Sequence, residues 1–144
     1  MANPLPVAVA AATVADVHRR RSRRLAVETL LERAQHLPEP DRMLMHQVYA
    51  QGLSIARVAH ATGRHPRTLQ RHAERLVRRM RSRSFQFIAQ HLDLLPRDLQ
   101  PVARARFLHG LSLRDIARQS RLSLHKVRTR VHTLETLIRA GALV

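Results

Sequence analysis

The chain has 144 residues, room for one ordinary domain or two very small ones, and its 44% hydrophobic content is enough for a buried core. It contains no cysteine, which excludes a disulfide framework, a thiolate metal site and a cysteine nucleophile, and no apolar run approaches membrane-spanning length. Twenty-six basic against ten acidic residues give a net charge of +16 and a pI near 12.0, an excess that opposes compaction and calls for a polyanion, nucleic acid first and an anionic membrane surface second.

Residues 1 to about 12, with Pro4 and Pro6 among small apolar residues, read as a loose arm. The basic cluster from His18 follows the short apolar run VAVAAATVA, whereas a secretory leader places its charge first, so no leader is expected. A helix is predicted over residues 13 to 35, with a partial apolar stripe of Val14, Val17, Leu25, Leu30, Leu31 and Ala34. Arg19, Arg20, Arg21, Arg23 and Arg24 lie within it, either as a solvated face or as candidate phosphate contacts. The helix over 13–36 is a candidate for dimerisation as well as for capping the first unit after Pro38.

After Pro38 the chain is punctuated as short helices. Residues 41 to 51 carry Met43, Leu44, Val48 and Tyr49 at helical spacing and stop at Gly52. Ser54 caps a helix to about Thr62, Gly63 supplies a tight turn, and His65-Pro66 opens a longer helix to about Met80. Residues 84 to 94 read as a connecting helix with Phe85, Phe87, Ile88, Leu92 and Leu95 apolar. Then the order recurs: a helix to His109, Gly110, a Ser112-capped helix to Ser120, a turn, and a Ser123-capped helix to Ala140. The two stretches align without a gap at an offset of 58 residues, Leu37-Pro38 on Leu95-Pro96 and Gly52-Leu53-Ser54 on Gly110-Leu111-Ser112. Val58-Ala59 falls on Ile116-Ala117, Leu69 on Val127 and Leu76 on Leu134. The register marks an internal duplication of a three-helix unit, giving an expected all-α chain: arm and basic helix 1–36, first unit 37–81, connecting helix 82–94, second unit 95–144.

Within each copy the spacing is that of a helix-turn-helix, with Ala59 and Ala117 small where one helix crosses the other and an exposed N-terminal turn on the second helix. Leu-Pro, a helix, Gly-Leu-Ser-x-x-x-[Ile/Val]-Ala, a turn and a second helix together resemble region 4 of sigma-70-type factors, with LuxR-type DNA-binding domains as relatives of similar shape. LSLHKVRTRVHTLETL from Leu122 is the closer match, and Thr68-Leu69-Gln70-Arg71 matches the same stretch in the first copy. The likeness covers residues 37 to 80 and 95 to 138. It departs at Arg64, where the pattern wants an aliphatic residue, and at Arg121, where it wants the turn glycine. Residues 1–36 are too short to hold the polymerase-binding segment of a complete sigma factor.

The resemblance implies base and phosphate contacts from the start of each second helix. By position these are His65, Arg67, Thr68, Gln70 and Arg71 in the first copy, and Ser123, His125, Lys126, Arg128, Thr129 and His132 in the second. Their chemistry suits the role: Arg and Lys fork onto guanine, Gln onto adenine, Ser and Thr onto phosphate. Arg75, Arg78, Arg79 and Arg81 extend the first helix as a basic tail suited to the backbone. Ten histidines show no metal-binding spacing with a carboxylate, and the acidic residues form no close pair, so no metal, cofactor or catalytic activity is expected. The expected function is a sequence-specific, double-stranded DNA-binding transcription regulator, cytoplasmic, bacterial or phage-encoded, with no membrane association. Its two recognition helices would occupy neighbouring major-groove segments, bridged by a connecting helix roughly 20 Å long. Two alternatives stand beside it: an adaptor that binds RNA polymerase or its sigma factor, and a non-specific nucleoid-coating protein.

Overall fold

The computed structural model describes residues 7–141, with side chains from residue 14 onward; of the expected arm, residues 1–6 lie outside this range. Every regular element among the described residues is helical, so the all-α class holds. In order they are α1 (Val7–Ala34), α2 (Glu39–Met45), α3 (Ile55–Thr62), α4 (Pro66–Arg81), α5 (Arg83–His91), α6 (Gln100–Ala103), α7 (Leu113–Ser120) and α8 (Leu124–Ala140).

The first copy's order of elements returns in the second at the same offset, down to a feature no sequence pattern suggests. α2 continues into a π-helical turn, His46–Ala50, and α6 into another, Arg104–Leu108. In each the chain widens by one residue, so that Gln51 N–H bonds to the His46 carbonyl at 3.0 Å and His109 N–H to the Arg104 carbonyl at 2.9 Å. The repeated Gly-Leu-Ser then has one physical meaning in both places. Gly52 and Gly110 take φ of +69° and +70°, a conformation that costs a residue with a Cβ. Leu53 and Leu111 turn onto the core, and their N–H groups bond back across the wide turn to Gln47 and Ala105 at 3.0 and 2.9 Å. The Ser54 and Ser112 hydroxyls accept N–H bonds from Arg57 and Asp115, both at 3.2 Å, and so start α3 and α7.

One continuous core runs through both copies. Leu69, Leu76 and Met80 of α4, Phe85 and Ile88 of α5, and Val127 and Leu134 of α8 are almost wholly shielded from solvent. Burying each of the larger side chains stabilises the fold by about 1.5–3 kcal/mol. The helix expected over 84–94 is therefore not a spacer. α5 ends at His91, Leu92–Leu94 forms a 3-10 turn, and α5 packs against α4, the second π-turn and α8. The last turns of α1 do for the first copy what α5 does for the second: Leu30 is buried as Ile88 is, one offset apart. The repeated unit is thus four helical elements long, one more than the sequence register revealed.

Two expectations at the N-terminus are corrected. Residues 7–12 belong to α1 rather than to a loose arm, in keeping with the Ala-rich run that follows Pro6. The stripe Val14, Val17 and Leu25 does not pack: these side chains are 70%, 61% and 55% exposed. They point away from the face that carries Leu30 and Ala34, and nothing in the described chain reaches them. All side chains from 14 to 26 are exposed, so about 20 Å of helix stands clear of the body.

Candidate nucleic-acid interface

α4 is built so that its charge faces out. Leu69, Ala73, Leu76 and Met80 are buried, one per turn, and fix the helix to the core. The opposite face then carries Arg67, Arg71, Arg75 and Arg78, all exposed, and none is in a salt bridge among the described residues. From the first to the last of them the helix rises about 16 Å. Thr68 is exposed on the edge of this row. Two other candidates are already engaged. The His65 Nδ1 caps α4 by accepting from the Arg67 N–H at 3.2 Å, and the Gln70 amide donates to Glu74 at 3.0 Å.

Arg79 is corrected. It is not a free phosphate contact: its guanidinium donates to the His109 carbonyl at 2.9 Å and lies against Gly110, where a Cβ would overlap it. Gly110 is thus favoured by its φ, and a Cβ there would also displace the guanidinium of Arg79, which staples α4 to the second copy. Burial pushes the Arg79 guanidinium below its ordinary range, Asp41 acting against this and Arg75 with it. Burial likewise lowers the pKa of His109, aided by Arg104 and Arg79 and opposed by Asp41. Asp41 itself holds the His72 Nε2 at 2.7 Å, tying α2 to α4. The position equivalent to His72 is Arg130, which makes the matching tie by donating to the Asp98 carbonyl at 3.2 Å. Arg81 is exposed and shares with Val77, Tyr49 and Ile55 a cleft of about 460 Å³ beside α4.

On α8 the buried positions are Val127, Val131, Leu134 and Ile138, again one per turn. Ser123 caps the helix, accepting from the Lys126 N–H at 3.2 Å. His125, Lys126, Arg128, Thr129 and His132 are exposed as expected of an outer face. The Thr129 hydroxyl, however, is turned back onto its own helix, donating to the His125 carbonyl at 3.0 Å. Sequence reasoning missed Thr133 and Thr136, whose hydroxyls do the same to Thr129 and His132 at 3.1 and 3.0 Å. The signal was present: shifted by one offset, the row Arg67, Arg71, Arg75, Arg78 becomes His125, Thr129, Thr133, Thr136.

The two turns depart as the sequence indicated. Arg121 occupies the left-handed conformation at φ 56°, ψ 30°, the one non-glycine residue with positive φ among those described. Arg64 is exposed beside a cleft of about 200 Å³ lined by Met43, Leu44, Val58 and Leu69, whereas Leu122 at the equivalent position packs on the core. On α1, Arg20, Arg21 and Arg23 are exposed, Arg19 meets Asp16 at 2.6 Å and Arg24 meets Glu28 at 3.2 Å. No helix of the described residues is long and apolar enough to cross a membrane. Compared with known protein families, curated proteins and solved structures, the chain matches none.

Proposed function

We propose that the chain is a double-stranded DNA-binding transcription regulator in which α3–α4 and α7–α8 act as two helix-turn-helix units. The observation that carries the reading is the exposed row Arg67, Arg71, Arg75 and Arg78 along one face of α4, in a chain of net charge +16. Arginines spaced one per turn, held by a buried opposite face, suit a polyanion whose phosphates recur along a rigid backbone. α4 clamps the phosphate backbone, the basic stretch of free α1 adds further phosphate contacts, and α8 lies in the neighbouring groove. No catalytic role is assigned, and the resemblance to sigma region 4 supports the same assignment.

The test is a salt titration of duplex binding by fluorescence anisotropy. Each phosphate that a cation neutralises adds roughly 0.9 to the slope of log K against log salt. Replacing Arg67, Arg71, Arg75 and Arg78 with Gln should therefore flatten that slope by about 3–4. An unchanged slope would remove α4 from the interface. A gel shift without polymerase, set beside a polymerase pull-down without DNA, separates this reading from the adaptor reading. The cleft beside Tyr49 and Val77 is the feature that favours a protein partner, because Val48, Tyr49, Ile55 and Val77 give it a partly apolar lining beside Arg78 and Arg81.

A further inference from the structure

The two long helices hold equivalent places in the duplicated fold but present opposite chemistry. Where α4 has a row of arginines, α8 has His125, Thr129, Thr133 and Thr136. Each threonine hydroxyl is bonded to the carbonyl one turn earlier. With Oγ turned back onto the helix, the Cγ2 methyl is the group left facing outward. β-branched residues also form helix less readily than Ala, Arg or Glu, by a few tenths of a kcal/mol each, so three of them on an exposed face bring no helical stability of their own. Cations flank the row on both edges, Lys126 on one side and Arg128 on the other, with His132 beside Arg128, all exposed. Thr129 and Thr133 form one wall of an open cleft of about 520 Å³ whose far wall includes Pro96 and Asp98. Lys126 and Arg130 line the same cleft, so Asp98 stands there among cations as an acceptor for the amino donors of a base edge.

A neutral methyl row between two cationic edges matches the cross-section of a major groove, where base edges lie between two phosphate chains. Resting on the DNA-binding reading above, the geometry points to α8 as a groove-reading helix that recognises thymine through its C5-methyl groups, by apolar contact with Thr129 and Thr133. α4, with cations at the centre of its face, follows the backbone instead. The duplication has thereby divided one task between two copies: sequence preference, for thymine-bearing steps, resides in the second.

The experiment uses the full chain and a duplex enriched from a random pool, measured with thymine and again with every thymine replaced by deoxyuracil. Removing each methyl that the helix touches should weaken binding about fourfold, and about tenfold or more for two. Thr129→Ser with Thr133→Ser keeps both hydroxyls and removes both methyls, so this variant should bind the two duplexes equally, with an unchanged thermal melt. Equal affinity of the unaltered chain for the two duplexes, or an enriched motif lacking thymine, would overturn the assignment while leaving DNA binding intact. Failure to bind either duplex at low salt would overturn the DNA-binding reading itself, and this inference with it.

Discussion

At the scale of the residue, the two turns between paired helices show how one fold tolerates different side chains. Gly63 reaches φ 67° without a Cβ, but Arg121 takes φ 56° with one and makes no hydrogen bond from its side chain to offset the strain among the described residues. The left-handed conformation costs an L-residue roughly 1–2 kcal/mol. Arg121→Gly should therefore raise stability by about 1 kcal/mol, a shift of about 2–4 °C for a chain of this size, measured by thermal melt. A variant that melts at or below the parent temperature would show that the turn carries no strain. The strained arginine also adds a cation beside the N-terminus of α8, so the same variant is of interest in duplex binding. Gly110 illustrates the converse, since its φ of +70° favours glycine and a Cβ there would push the Arg79 guanidinium aside.

At the scale of the element, a single residue separates α4 from α5. Ser82 leaves the helical region, at φ −67° and ψ 148°, and serves both neighbours. Its hydroxyl donates to the Arg79 carbonyl at 2.7 Å and accepts from the Phe85 N–H at 3.2 Å. Two more end carbonyls of α4 find donors, Met80 from Arg33 of α1 and Arg81 from the Gln86 amide. Ser82→Ala should cost about 0.5–2 kcal/mol, the usual loss of a helix cap, read as a lowered denaturant midpoint with an unchanged slope. A neutral result would mean that packing of Phe85 and Ile88 alone sets the break. Rigid junctions of this kind fix α4 relative to the second copy, which the proposed joint binding of DNA by α4 and α8 requires.

At the scale of the whole molecule, the copies meet at a cation-rich seam. Arg79 reaches across to the His109 carbonyl, with Arg104 near and Asp41 the one carboxylate opposing them. The unfolded His109 imidazole titrates near 6.5 and the folded one lower, first because it is buried and then because of Arg104 and Arg79. Above pH 6.5 it is neutral in both states and costs nothing. As pH falls through 6.5 the unfolded chain takes up the proton first, so stability declines until pH passes the folded value. Melts at pH 7.5 and pH 5.5 should therefore differ less for His109→Gln than for the parent chain. The substitution keeps the backbone carbonyl that Arg79 uses, so equal differences would place the pH sensitivity elsewhere.

Much of this was legible in the sequence because it is local. Helical periodicity, caps at Ser54, Ser112 and Ser123, the stop at Gly52 and the offset of 58 residues follow from neighbours within a few turns. So does the outward face of α4, since Leu69, Leu76 and Met80 leave only one side for the arginines. What depends on contacts far apart in the chain was not legible. Val14, Val17 and Leu25 share a helical face, but it is the one turned away from Leu30 and Ala34, and among the described residues no element covers it; burial needs a partner as well as a pattern. Arg79 belonged by spacing to a basic tail, but the packing of α4 on the second π-turn draws it inward onto His109. The sequence by itself determined two copies of one helical unit and the cationic face of the first. Only the tertiary structure decided that the copies share one core and which arginine staples them, because each outcome rests on which surfaces meet.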